Sequence, residues 1–423
     1  MEQQELIPHL FRTEYRKIVS VLCKHFGPGQ IETAEDIASD TFYTAAQTWP
    51  LRGLPPNPVA WLYNVAKNKA RNQVQRHHLF NSKIAPGLKN DALSSIEMDI
   101  DLSEKNINDS QLQMMFAICH PAIPPEAQIG LALRILCGFG IEEIADAFLS
   151  NKETINKRLF RAKEKLRLEK LPIEFPPPAA IHERLETVLT TLYLLFNEGY
   201  YSESNDSVIR AELCVEAMRL TYLLIENEPT NLPQVNALFS LMCFHSSRLE
   251  SRKNSHGEIV LYQDQDETLW NNELITKGAY YLRLASQGDT LSKYHLEASI
   301  AYWHTQKTDS AEKWETILQL YNRLLQLEYS PMAALNRTYA LSKVYATQED
   351  ALIGKKAAIT EAKKLNLAGN CLYHSLLAEL YNEIDIEKAI SHLQTAITLA
   401  KTQADKNMLS KKLVAYRQIA RIW

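Results

Sequence analysis

The sequence of residues 141–167 is IEEIADAFLSNKETINKRLFRAKEKLR, and it predicts two short helices joined by a tight turn. Apolar residues recur at i, i+3, i+4 and i+7 from Ile141 to Phe148, the spacing that places them on one helical face. Gly140 stands at the N-cap position of this helix, and Asn151 supplies a capping group for the next. The predicted buried face of the second helix consists of Ile155, Leu159, Ala162 and Leu166.

The outer face of the second helix concentrates positive charge. The whole chain has 46 Lys and Arg against 50 Asp and Glu, with a net charge of −4, so this basic patch is local. A helix that reads DNA needs short polar and basic groups near its N-terminus for base edges, and cations further along for phosphates. The stretch therefore predicts a DNA-binding helix-turn-helix, although a charge run by itself is also typical of a solvated helix face.

The module resembles region 4 of bacterial sigma factors of the extracytoplasmic-function (ECF) group, through LALRILCGFG (131–140), IEEIADAF (141–148) and KRLFRAKEKLR (157–167). In that family the module reads the minus-thirty-five promoter element. The resemblance implies that five residues approach bases, namely Lys152, Glu153, Thr154, Asn156 and Lys157. It implies that Arg158, Arg161 and Lys163 approach phosphates.

Near the N-terminus, two amphipathic helices are predicted, the first over residues 11–22 and the second starting at a capping residue, Thr33. The outer face of the second carries Glu35, Asp36 and Asp40. Carboxylates repel phosphate, so this face favours a protein partner over DNA.

A third helix, predicted over residues 59–75, has the opposite charge. No carboxylate occurs from Trp61 to Asn90, whereas lysines and arginines recur along the helix. Aromatic and cationic groups together suit unpaired bases and their backbone, through stacking and charge. For Trp61 taken alone, a place in the core is the commoner use of a tryptophan.

These two helices resemble sigma region 2. The stretch TAEDIASDTFYTAAQTW (33–49) is similar to the helix that docks on the clamp coiled coil of RNA polymerase, and PNPVAWLYNVAKNKARNQVQR (56–76) to the part that binds and melts the minus-ten element. The resemblance implies that Asp36, Ile37, Asp40, Thr41 and Phe42 lie at or under the polymerase contact. It implies that Asn57, Trp61, Asn64, Lys67, Asn68 and Arg71 lie at or near promoter DNA.

Beyond a proline-rich stretch at 171–178, nearly every segment has a helical pattern. Residues 330–345 and 370–400 alternate small and large side chains as paired helices of tetratricopeptide repeat (TPR) type do, with a period of roughly 34 to 40. Stacked helix pairs form surfaces that bind peptides or small ligands, and helix hairpins that pack only against one another are the alternative. LYLLFNEGYY (192–201) and GEIVLYQDQDETLW (257–270) resemble signature segments of the ECF subgroup with a long C-terminal helical-repeat extension.

The predicted fold is therefore all-α. Its predicted segments are sigma region 2 over 1–80, an acidic linker over 81–110, a region 4 helix-turn-helix over 111–170, a proline-rich linker over 171–180 and a helical-repeat regulatory domain over 181–423.

The composition points to a cytoplasmic protein without a metal or another cofactor. The six cysteines are far apart with no CxxC pair, the N-terminus lacks the pattern of a signal peptide, and no apolar run is long enough to span a membrane. Cys119 and His120 have no second pair at metal-ligand spacing, so a turn is the preferred interpretation. Glu198, Asp264 and Asp266 lack an accompanying nucleophile or base motif, so we expect no enzyme activity.

The sequence thus predicts an alternative sigma factor that binds core RNA polymerase and promoter DNA, with no membrane partner. Its C-terminal domain would control this activity by contacting the sigma modules or by binding a protein or small ligand. One alternative is a one-component regulator with a TPR-like sensor domain, but an operator-binding protein needs neither Trp61 on a basic helix nor the acidic face. The other alternative is a repeat-domain enzyme that uses Glu198, Asp264 or His256.

Overall fold

A computed structural model of the chain describes residues 3–84, 100–148, 150–201, 207–252, 260, 262–346, 351–400 and 403–420. The predicted all-α class is confirmed, because these residues form helices and turns and contain no strand. None of the described helices combines the length and the apolar composition needed to cross a bilayer.

The chain divides into two compact units, Met1–Thr230 and Asn231–Trp423. The helices of the first unit are α1 (Gln3–Phe26), α2 (Ile31–Arg52), α3 (Pro58–Ile84), α4 (Glu104–Ile118), α5 (Pro125–Leu131), α6 (Ile141–Ala147), α7 (Lys152–Leu168), α8 (Pro178–Tyr201) and α9 (Ser207–Glu226). Those of the second are α10 (Pro233–Ser246), α11 (Asn272–Ala285), α12 (Lys293–Trp303), α13 (Ala311–Leu327), α14 (Pro331–Ala346), α15 (Ala351–Lys364), α16 (Cys371–Tyr381), α17 (Ile386–Leu399) and α18 (Gln403–Ala420).

The core of the first unit forms around α1, which packs against α2, α3 and α4. Three apolar residues of the amphipathic helix predicted over 11–22, Ile18, Val19 and Leu22, are almost completely buried. The start predicted for α2 is wrong, because the helix begins at Ile31 and the hydroxyl of Thr33 donates to the side-chain oxygen of Gln30 at 2.6 Å. The first residues of a helix are difficult to predict from sequence, because a capping residue and a first-turn residue are hard to distinguish.

The two helices predicted from residues 141–167 are present as α6 and α7. The four apolar residues of the α7 inner face are all buried. Asn151 caps α7 as expected, since its side-chain oxygen accepts from the backbone N–H of Thr154 at 2.8 Å. Gly140 is the N-cap of α6, and its backbone N–H donates to the Glu143 carboxylate at 2.7 Å.

The proline-rich stretch at 171–178 does not separate two compact units. Leu171 and Ile173 are buried, and the ring of Phe175 meets that of Phe116 edge-on with centroids 5.3 Å apart. This packing places α8 and α9 in the first unit, whereas we expected them to begin the helical-repeat domain at 181.

The predicted acidic linker over 81–110 overlaps two helices. At one end α3 extends to Ile84, and at the other α4 begins at Glu104, with Ser103 as its N-cap. Residues 85–99, the middle of this predicted linker, lie outside the described part of the chain.

In the second unit, successive helices pack against one another in pairs. One apolar cluster forms around Trp314 and Ile317, and a second around Leu377 and Leu393. Helices α10 and α11 are in contact at Gly278, where a Cβ atom would lie 2.7 Å from the ring of Phe244. A larger residue at this position would require the ring of Phe244 to move.

Candidate nucleic-acid interface

The N-terminal half of α7 carries the residues that the sequence assigned to base contact. All five of these side chains are exposed: Lys152, Glu153, Thr154, Asn156 and Lys157. The apolar residues on the opposite face anchor the helix to the unit, so its outer face stays free of the core. Lys152 forms an ion pair with Glu142 of α6 at the edge of this face.

The three predicted phosphate contacts have different surroundings. Arg161 is exposed. Arg158 is half-buried, 3.6 Å from the Glu126 carboxylate and over the ring of Phe148. Lys163 turns inward: its side chain is only 18% exposed and its Nζ atom pairs with carboxylates of α2. Of these three cations, only Arg161 is thus presented to solvent together with the base-contact residues.

Glu35, Arg134 and Lys163 form a buried ionic group, which we call the Glu35 cluster. One carboxylate oxygen of Glu35 accepts from Nε of Arg134 at 2.8 Å, and the other accepts from Nζ of Lys163 at 2.8 Å. Glu35 is 7% exposed, so our expectation that it lies on the outer acidic face of α2 is wrong. Its burial is tolerated because each carboxylate oxygen has a cation as its partner.

Arg134 extends the Glu35 cluster to the rest of the core. Its two NH groups donate to the carbonyl of Phe139 at 3.1 Å and to the hydroxyl of Tyr15 at 3.3 Å. Burial raises the pKa of Tyr15 to about 12, although the charge of Arg134 opposes this shift. Tyr15 therefore stays a neutral phenol that accepts a hydrogen bond at physiological pH.

A groove of about 430 Å³ separates the exposed faces of α2 and α7 above the Glu35 cluster. Asp36, a predicted polymerase contact, and Asn156, a predicted base contact, both line it. The two predicted binding surfaces are therefore neighbours within the first unit.

The predicted polymerase contacts divide into an exposed and a buried group. Asp36 and Asp40 are exposed, and Asp40 lies 3.4 Å from Nζ of Lys69. The other three support the helix from within: Ile37, Thr41 and Phe42 are buried. Tyr43 was not among the predicted contacts, yet it is 62% exposed three residues after Asp40, and the i, i+3 spacing was the signal that could have found it.

The predicted minus-ten residues follow one side of α3. Asn57 caps the helix, since its side-chain oxygen accepts from the backbone N–H of Ala60 at 3.0 Å. Trp61 is half-buried and meets the buried Trp49 edge-on at 5.4 Å. The remaining members are exposed except for the half-buried Lys67: Asn64, Lys67, Asn68 and Arg71. This face combines an accessible indole with amide and cationic groups.

Helix α9 contributes contacts that could not be predicted from the sequence. Glu212 pairs with Arg12 of α1, which also pairs with Glu143 of α6 at 2.7 Å, and Glu216 pairs with Arg16 of α1. Arg219 donates to the side-chain oxygen of Gln111 at 3.0 Å and to the carbonyl of Leu136 at 2.7 Å. Through these groups α9 connects α1 with the segment that precedes α6.

Three of the residues considered for metal binding or catalysis, Cys119, His120 and Asp266, have structural explanations. Cys119 is buried, which raises its pKa to about 12, and His120 accepts from the backbone N–H of Ala122. Asp266 accepts from the backbone N–H of Thr268 at 2.9 Å as a cap. Within the described ranges, no group of three His, Cys, Asp or Glu side chains is placed to hold a metal ion. His256 lies outside those ranges.

Comparison with known proteins relates two parts of the chain to family models. Residues 10–79 match the family model for sigma-70 region 2, and residues 184–286 match that of a family of unknown function, DUF6596. Sigma-70 region 2 supports a role as a sigma factor in transcription initiation and implies binding to core RNA polymerase and promoter DNA. It characterises a family of transcription factors that are not enzymes.

The chain is 31% identical over 389 residues to an uncharacterised protein of Rhizobium meliloti (strain 1021), an alignment that covers 90% of each chain. It belongs to the same family as that protein. No solved structure matches the chain.

Proposed function

We propose that the chain is an alternative sigma factor of the ECF group, with a TPR-like helical extension that regulates it. Asp36, Asp40 and Tyr43 of α2 contact core polymerase, and α3 binds and opens the minus-ten element. Helices α6 and α7 form the helix-turn-helix that reads the minus-thirty-five element. The observation that carries this assignment is α7 itself, a basic helix with its apolar face buried and its polar N-terminal half exposed.

We propose further that the first unit is a closed form, which must open before it can bind a promoter. The two promoter elements are centred about 25 base pairs apart, which at about 3.4 Å per base pair is on the order of 85 Å. Helix α2 packs against α3 and also holds Lys163 of α7, yet its 22 residues span only about 33 Å. Helices α3 and α7 therefore cannot occupy both elements while the Glu35 cluster is intact.

The packing of α1 against α4 holds the closed form, together with ionic contacts at two places. The Glu35 cluster joins α2 to α7, and the ion pairs of Arg12 and Arg16 join α1 to α6 and α9. We propose that opening of the unit is the regulated step, and that the second unit receives the signal that controls it.

Reconstituted transcription tests the proposed function. Purified protein with core polymerase should start transcripts at defined sites on genomic DNA. Replacing Asn156 and Lys157 with alanine should reduce these transcripts strongly, because the two exposed side chains would contact promoter bases. Lys105→Ala, at an exposed position of α4, is the matched control. A chain that bound DNA but never bound core polymerase would favour a one-component regulator instead.

A further inference from the structure

A second charged site lies in the C-terminal unit, where the segment 262–270 meets the ends of α10 and α12 and the faces of α13 and α14. A groove of about 320 Å³ opens there, lined by Tyr262, Lys307, Asp309 and Lys343. None of the predicted sigma-factor contacts belongs to this groove.

The groove and its floor carry more positive than negative charge. The cations are Arg248, Lys307, Lys313 and Lys343, and the carboxylates that pair with them are Glu267 and Asp309. Asp309 is shared, since its two oxygens lie 3.7 Å from Nζ of Lys313 and 3.8 Å from Nζ of Lys343. Among the described residues, the cluster therefore retains an excess of positive charge.

Two of these cations, Lys313 and Arg248, are buried behind the lining residue Tyr262, and we call them the floor of the groove. The side chain of Lys313 is 1% exposed, and its Nζ atom donates to the hydroxyl of Tyr262 at 3.2 Å and to the carbonyl of Gln306. Arg248 is 8% exposed and lies over the ring of Tyr262, and its Nε atom has no hydrogen-bond partner among the described residues. Among the described residues, Asp309 is the one carboxylate paired with these two buried cations. Burying cations with too few anions is costly, so the floor attracts further negative charge.

The other two cations lie at the mouth of the groove. The side chain of Lys343 is 24% exposed and that of Lys307 is 29% exposed. Among the described residues, the carboxylate nearest to Lys343 is 3.8 Å away, beyond hydrogen-bond range. Its Nζ atom also lies over the rings of Trp314 and Tyr339. The ammonium group of Lys343 is thus positioned by two aromatic rings, and its N–H groups are available to donate to a ligand.

We propose that this groove binds a small organic anion that carries several phosphate or carboxylate oxygens. Lys343 and Lys307 donate to the anion at the mouth, while Lys313 and Arg248 stabilise its charge from the floor. The volume of the groove lies at the small end of the usual range for ligand-binding pockets, so it suits a compact ligand. This anion is then the chemical signal that the C-terminal unit detects.

Binding to the full-length protein can be measured by calorimetry with pyrophosphate and with citrate, at constant ionic strength set with sodium chloride. We expect saturable binding of at least one of them, and the preferred anion distinguishes a phosphate from a carboxylate ligand. Lys343→Gln should weaken binding about tenfold or more, because a charge-assisted hydrogen bond is lost. Lys356→Gln, at an exposed position of α15 outside the cluster, should leave it unchanged.

Asp309→Asn provides the complementary test. The substitution removes the carboxylate that competes for Lys313 and Lys343, so anion binding should become tighter rather than weaker. Circular dichroism of each variant confirms that it is folded. The proposal is overturned if neither anion binds beyond the sodium chloride background, or if Lys343→Gln and Asp309→Asn leave the affinity unchanged.

Discussion

The buried carboxylate of Glu35 pairs with Arg134 and Lys163, so its charge should determine how strongly α2 binds α7. Glu35→Gln keeps the shape of the side chain but removes its charge. We expect the free energy of unfolding of the N-terminal unit to fall by about 3 kcal/mol, since a buried ionic group loses its anion. We also expect affinity for duplex DNA without polymerase to rise, because Lys163 becomes available to phosphates. Denaturant titration and fluorescence anisotropy measure the two effects.

The control for this substitution is Glu32→Gln. Glu32 is 64% exposed and lies 3.7 Å from the same ammonium group of Lys163, so its contribution to stability should be close to zero. Equal effects of the two substitutions on DNA affinity would show that the burial of Glu35 is irrelevant to the release of α7.

His304 gives the C-terminal unit a distinct dependence on pH. Burial, together with the charges of Arg248 and Lys313, lowers the pKa of His304 from 6.5 to about 3. As the pH decreases from about 6.5 towards 3, His304 therefore takes up a proton in the unfolded chain but not in the folded chain. The free energy of unfolding should fall over this pH range. Burial also lowers the pKa of His245, with charges of Arg248, Arg252 and His304 adding to it, so both histidines act in the same direction.

The contribution of His304 can be isolated by substitution. His304→Gln should make the fall in stability with decreasing pH less steep, because one group no longer binds a proton only in the unfolded state. Thermal melting of the full-length protein at several pH values measures this slope. An unchanged slope in the variant would mean that His304 has the same pKa in the folded unit as in the unfolded chain.

At the scale of helices, the closed form makes a prediction about distance. Fluorescent dyes on Gln47→Cys of α2 and Leu168→Cys of α7 would report how far apart the helices are, since both positions are exposed. Cys371, the half-buried native cysteine, is replaced by serine, and the other five are buried. We expect efficient energy transfer in the free protein and a clear loss of transfer when core polymerase and promoter DNA are added.

A control without promoter DNA separates the causes of opening. Core polymerase alone should reduce the transfer if binding to α2 is sufficient to release α7. Transfer that stays high in the complete transcribing complex would contradict the closed-form proposal while leaving the role as a sigma factor intact.

The elements show why sequence predicts some features of this fold and not others. The inner face of α7 was predictable because helical periodicity is local, and its four apolar residues are buried as expected. The partner of Glu35 was not predictable, because Lys163 is 128 positions away in the sequence and any cation could have neutralised the carboxylate. The prolines at 171–178 suggested a boundary, but the apolar residues among them pack into the core.

At the scale of the whole molecule, the division at Thr230 decides where the chain can be shortened. A chain ending near Lys170 would lose α8, whose Thr191 donates to the buried Gln128 at 2.7 Å and whose Arg184 donates to the carbonyl of Phe116. Ending at Thr230 keeps these contacts and removes only the second compact unit.

We expect the chain ending at Thr230 to differ from the full-length protein in promoter use, both with purified polymerase and in cells. The physical reason is that the unit proposed to receive the signal is missing, while the proposed DNA and polymerase contacts remain. Transcript yields from the same promoters measure the difference. Equal yields in both settings would leave the regulatory role of the second unit without support.

The close approach of α10 and α11 at Gly278 has an evolutionary consequence. Even one added methyl group would collide with the ring of Phe244. Substitution of Gly278 should therefore be tolerated only when a smaller residue replaces Phe244 at the same time. Among diverging descendants of this lineage, the pair should therefore change together or not at all, while exposed neighbours vary freely.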